Sequence, residues 1–141
     1  MATNIQLQIF KEMVLSMHCQ KCKGAILPAK PLLLIGLCYA IEAGHVGDNR
    51  VSVDELEAQY RLLQGKYGVK TPFNYPTYFL ASEPFYHIKW KGEKIVTKAP
   101  SAAMLRTNVD YIYLDNALWD VLQDKSALYS FRTSIEDYYL K

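Results

Sequence analysis

The longest apolar stretch in the chain runs over residues 30–44, KPLLLIGLCYAIEAG, and both of its ends are marked. Pro31 suits the first helical position, where an amide hydrogen would have no partner, and Gly44 suits the left-handed residue that closes a helix. The run is too short to cross a bilayer, so it predicts a core helix covered on most sides by the rest of the chain. Ahead of it, residues 4–19 predict an amphipathic helix with Ile5, Ile9, Val14 and Met17 near one stripe and Phe10 and Met13 filling it out. Behind it, residues 45–50 form a turn. Ser52-Val53-Asp54-Glu55 then reads as a capping box that opens a helix to about Leu63, with Leu56, Tyr60 and Leu63 inward and Gly65 at its end.

Residues 66–82 interleave prolines and aromatics, among them Tyr75, Pro76 and Phe79, and predict an irregular segment. Residues 85–90 and 93–98, either side of Lys91-Gly92, predict an antiparallel hairpin. Alternation puts Phe85, His87 and Lys89 on one face and Tyr86, Ile88 and Trp90 on the other. Ser101 caps a short helix to Arg106. Asp115 and Ser126 cap two more, over 116–123 and 127–139, and Tyr138, Tyr139 and Leu140 close the core. The fold class is α+β and mainly helical: a helix-turn-helix or winged-helix-like core of about five to six helices with a small antiparallel β-hairpin, in a single DNA-binding-like domain over 1–141. Most helix pairs merely pack and most hairpins merely cover a core, so this outline alone does not settle a function.

Composition narrows the classes. Half of the 141 residues are apolar, which fits one globular domain with a real core. The first residues lack the basic start of a secretory leader, and three cysteines without one are expected as reduced thiols in a cytoplasmic protein. A net charge of +2 announces no partner, but its distribution is uneven. Residues 66–106 are rich in lysine and the tail beyond 107 is rich in aspartate and glutamate. A basic face for a polyanion fits this pattern, and so does a solvated mixed-charge surface.

Chemistry-bearing motifs are few. His18, Cys19 and Cys22 have metal-ligand spacing, but a closed tetrahedral site needs a second ligand pair, so no metal and no other cofactor is expected. His18, His45 and His87 lie far apart, no Gly-x-Ser-x-Gly or phosphate-cradling Gly loop is present, and nothing argues for an enzyme. Asn49 and Arg50 stand where a helix-turn-helix unit touches phosphates or base edges, and Lys89, Lys91, Lys94 and Lys98 are where a wing would meet a DNA backbone.

The order of signals carries a resemblance. Met17, His18, Lys21, Lys23 and Gly24 lead to Pro28-Ala29-Lys30-Pro31-Leu32-Leu33-Leu34. Gly44, Asn49 and Arg50 follow, then Tyr75-Pro76, Phe85-x-His87, Tyr111, Leu114-Asp115 and a closing helix with Arg132 and Tyr138-Tyr139. Over most of its length the chain resembles the sulfur-binding N-terminal domain of HNH-type restriction endonucleases, which recognises phosphorothioate-modified DNA. The resemblance implies a basic surface on double-stranded DNA and a small apolar cavity for the sulfur, lined by Tyr75 and Pro76 with Ala29 and Lys30 at its edge. It also implies a non-catalytic module of a restriction or phage-defence system, beside a protein partner that carries the nuclease. Ala29 stands where that family commonly has a basic residue or His, and Ile26 and Leu27 stand where a cation would help. A protein–protein adaptor that kept the fold and lost the sulfur specificity is therefore the alternative.

Overall fold

In the computed structural model, residues 4–17, 19, 21, 22, 25, 26 and 28–140 are described, the four at 21, 22, 25 and 26 by backbone alone. The apolar run folds as a central helix, α2 (Ala29–Glu42), after α1 (Asn4–Leu15) and a two-residue antiparallel pair, β1 (Lys21–Cys22) with β2 (Ala25–Ile26). Leu32, Leu33, Leu34, Ile35, Leu37 and Cys38 are each at most 1% exposed, as expected of a helix apolar nearly all round. The helix starts earlier than expected, so Pro31 falls in its first turn and not at its first position. An amide there still lacks an intrahelical acceptor, and the ring is tolerated. Gly44 follows with φ +79°.

α2 packs against α3 (Val53–Tyr67), α4 (Asn74–Phe79) and α7 (Lys125–Tyr139). At Gly36 a Cβ would come within 3.2 Å of the Gln59 Cβ, so the missing side chain is what lets α2 and α3 approach. The Ser52 hydroxyl accepts from the Glu55 amide at 3.0 Å, as the capping box requires. The helix passes through Gly65, however, and ends at Gly68 with φ +67°, because only there does the backbone turn left-handed.

The antiparallel pair is β3 (Tyr86–Trp90) with β4 (Val109–Leu114), not 85–90 with 93–98. The reason is patterning. Val109, Ile112 and Leu114 supply an inward face, whereas Ile95 and Val96 are adjacent and cannot share one, and Val96 is 84% exposed. The connection carries an extended loop and α5 (Ala102–Asn108), which is capped by the Ser101 hydroxyl. Nor is 66–82 irregular: it holds α4 and a 3-10 turn at Leu80–Ser82, with Pro76 tolerated in the first turn.

The helix ends differ in other respects. α1 stops at Leu15 and buries Phe10 and Val14 while leaving Ile5 and Ile9 exposed, and it packs mainly against α7 and α6 (Asn116–Val121). α7 is capped by Asp124, whose carboxylate accepts from the Ala127 amide, and not by Ser126. Asp115 precedes α6 without capping it. Tyr139 and Leu140 pack on the core, but Tyr138 faces outward. The described residues thus form an α+β, mainly helical domain of seven helices around α2.

Candidate nucleic-acid interface

The inward face of the β3–β4 pair is Tyr86, Ile112 and Leu114, all essentially buried, so alternation turns His87, Lys89, Tyr111 and Tyr113 outward. Cross-strand register sets His87 opposite Tyr113 and Lys89 opposite Tyr111. The rings run into one another, Tyr111 and Tyr113 at 5.8 Å between centroids and Tyr113 and His87 at 5.0 Å. The Arg50 guanidinium lies 5.2 Å above Tyr111 and extends the strip with a cation. At the far end the His87 Nε2–H donates to the Asp115 carboxylate at 2.5 Å, and that carboxylate makes no capping bond to α6.

Arg50 is placed there by its neighbours. Val51 exchanges two backbone hydrogen bonds of 2.8 Å with Ile112. The Asn49 side chain continues the same edge: its Nδ2 donates to the Leu114 carbonyl at 2.7 Å and its Oδ1 accepts from the Leu114 amide at 2.8 Å. The turn after α2 is thereby laid against the edge of β4. Asn49 is committed mainly to backbone, with a longer bond of 3.5 Å to the Asn116 Oδ1, and Arg50, exposed, is the side chain this arrangement presents.

The lysines lie on β3 and on the loop that follows it. Lys89, Lys91, Lys94 and Lys98 are all exposed. The loop is pinned to α4: the Tyr78 hydroxyl donates to the Ile95 carbonyl at 2.6 Å and accepts from the Thr97 amide at 3.1 Å. The Asn74 amide group holds the Pro100 carbonyl at 2.6 Å. α4 is in turn fastened to β3 by the buried Tyr86 hydroxyl, which donates to the Thr77 carbonyl at 2.8 Å. Burial pushes the Tyr86 phenol well above its ordinary range, so it stays a donor.

On α4 itself Pro76 is buried while Tyr75 is 38% exposed and stacked on Phe79 at 6.4 Å. Between α4 and the strip lies a cleft of about 330 Å³ whose walls include Tyr78, Phe79, His87, Trp90, Tyr113 and Lys94. Ring contacts therefore run from Arg50 through Tyr111 and Tyr113 to His87, and Phe79, stacked with Tyr75, stands on the cleft that His87 and Tyr113 also line. Lys30 differs from the loop lysines: in the first turn of α2, with its side chain 14% exposed, it sits 3.9 Å from Glu83. Ala29 beside it is buried.

Sequence reasoning missed Tyr78, Trp90 and Tyr113 as site residues. The alternation in VDYIYL was the available signal, since it turns Tyr111 and Tyr113 to the side opposite Ile112 and Leu114. His18 lies outside the described residues, as do the side chain of Cys22 and any ligand set that includes either; among the described residues no group of three or more His, Cys, Asp or Glu converges.

No family model matches the chain, and no curated protein does. Solved structures do match in fold. One, the sulfur-binding domain and SRA domain of ScoMcrA complexed with phosphorothioated DNA, superposes with a TM-score of 0.74 at 16% identity, covering 90% of this chain and 41% of that one. Another, the Type IV phosphorothioation-dependent restriction endonuclease ScoMcrA, gives 0.73 at 16% identity over 92% of this chain and 29% of that one. The chain spans less than half the length of either match. It has the fold of the sulfur-binding domain.

Proposed function

We propose that the chain is a non-catalytic module that binds double-stranded DNA in a restriction or phage-defence system of the bacterial cytoplasm. Cleavage would come from a separate nuclease domain or subunit. The observation that carries the reading is the lysine loop, pinned by Tyr78 beside the Arg50–Tyr111–Tyr113 strip. Lysines carried on a pinned backbone beside exposed aromatics suit a backbone-gripping surface, since ordering a loose lysine loop on binding would cost backbone entropy that the pin has already removed. The fold shared with a domain seen on phosphorothioated DNA supports the same partner.

For the modification, Tyr75 above buried Pro76, with Ala29 buried at the start of α2, provides apolar material for a sulfur cup. Sulfur is larger and less well hydrated than oxygen, so apolar walls favour it over an ordinary phosphate. The test is a titration of modified and plain duplexes over a range of salt. Lys91→Ala with Lys94→Ala should weaken both duplexes alike and reduce the salt slope by about 1–2 units. Tyr75→Ala should narrow the gap between the two duplexes. A chain that binds neither duplex at low salt refutes the reading.

A protein-partner surface has its own support. Ile5 and Ile9 on α1 and Tyr129 and Tyr138 on α7 are exposed, and Ile5 is 73% so. A nuclease-bearing subunit would dock there, and if DNA binding fails, the adaptor role is the one that remains.

A further inference from the structure

The cleft between α4 and β3 has a chemistry of its own. Its walls are formed by the aromatic residues Tyr78, Phe79, His87, Trp90 and Tyr113 together with Ala81, Ser82 and Ile88, and Lys94 stands at its side. The rings are set by one another: Tyr78 meets Trp90 edge-on at 6.2 Å and Phe79 edge-on at 5.0 Å, while His87 lies against Tyr113. The Tyr78 hydroxyl is occupied by the lysine loop and the His87 Nε2 by Asp115. Among the described residues, the Lys94 ammonium, the Trp90 indole N–H and the Tyr113 hydroxyl have no hydrogen-bond or ion-pair partner. No carboxylate lines the cleft.

A ligand that satisfies this set must be flat and aromatic to cover the rings, and anionic to meet Lys94. Inorganic phosphate would leave the rings wet, and a neutral aromatic would leave the ammonium unanswered. A volume of about 330 Å³ holds one such unit and not several. A paired base cannot enter, because its faces are covered by its neighbours in the stack.

We propose that the cleft seats one unpaired nucleotide, its base against the aromatic walls and its phosphate on Lys94. Such a nucleotide comes either from a strand, at an overhang or an extruded position, or from the free pool. The site adjoins the surface proposed for duplex DNA and shares Lys94 with it, yet it binds by stacking and not by gripping a backbone.

The experiment is an adenosine monophosphate titration of the whole chain, followed by the two indole N–H resonances of its two tryptophans. Trp90→Phe identifies which is which. The Trp90 resonance should move saturably with millimolar affinity while Trp119 stays still. Replacing the nucleotide by adenosine or by ribose 5-phosphate should weaken the effect at least about tenfold, as should Lys94→Ala. A short single strand that displaces the nucleotide makes the strand the source; one that does not leaves the free nucleotide. The inference is overturned if the nucleotide moves neither resonance up to about 10 mM, or if adenosine or the Lys94→Ala variant performs as well as the parent pairing. Duplex binding without a nucleotide effect overturns this inference alone; a nucleotide effect without duplex binding overturns the duplex reading and leaves this one.

Discussion

Asn49 separates a structural role from a DNA-contacting one, and Asn49→Ala tests which it has. Its two short hydrogen bonds, of 2.7 and 2.8 Å, both close on the backbone of Leu114, a residue that is 1% exposed, and a longer one of 3.5 Å reaches the Asn116 Oδ1. Alanine would leave that amide and carbonyl without partners at a half-buried edge. Each bond contributes about 1 kcal/mol net, and an orphaned backbone group costs somewhat more, so the loss should be about 2–3 kcal/mol. For a chain of this size that lowers Tm by roughly 6–12 °C. Urea unfolding should show a lower midpoint at unchanged slope, because the surface exposed on unfolding is nearly the same. Asn49→Asp keeps the acceptor but sets an anionic oxygen against the Leu114 carbonyl. Its carboxyl should titrate higher in the folded state than in the unfolded one, so this variant should recover stability as pH falls and lose it as pH rises. Duplex affinity of the folded protein should fall only as far as Arg50 is displaced. A loss under about 0.5 kcal/mol in Asn49→Ala, together with a large loss of DNA affinity, would refute the reasoning and make Asn49 a direct contact.

Leu33→Ala or Leu37→Ala should cost about 2–5 kcal/mol by chemical denaturation, since both lie fully inside the core. Burial pushes the Cys38 thiol up from its ordinary value of 9.0 to about 12, with Arg132 opposing the shift. A raised folded pKa means stability that is intact below pH 9 and is lost as pH rises toward 12. Unfolding curves for Cys38→Ala should therefore fall less steeply over that range than those of the parent. Cys38 should also resist alkylation until the chain unfolds.

Much of the fold was legible because it rests on local signals. The apolar run of α2, the Ser52 capping box and the Ser101 cap each need only a few neighbouring residues to be read. The partner of β3 was not legible. Residues 93–98 are near in sequence and β-prone, whereas 109–114 win because three inward side chains outweigh a short loop. Two glycines mark the same limit. Gly65 looks like a helix end, but only Gly68 takes the left-handed conformation, and tertiary packing decides between them. At the site, the exposed lysines could be named from composition, but the commitment of Asn49 to Leu114 spans 65 positions and leaves no local trace.

The route of the chain between β3 and β4 has an evolutionary consequence. The lysine loop leaves the sheet at Lys91, where a backbone bond to Asn108 closes it off, and it regains the core at buried Pro100. Between those points it touches α4 through Tyr78. Neither strand register nor helix packing depends on what lies there, and each doubling of such a loop adds only about 0.6 kcal/mol of closure entropy. The segment is an interchangeable cassette: its length and charge can drift between relatives while the sheet and α2 stay fixed. A grafted loop that retains a carbonyl for Tyr78 would inherit the same scaffold and acquire a different target.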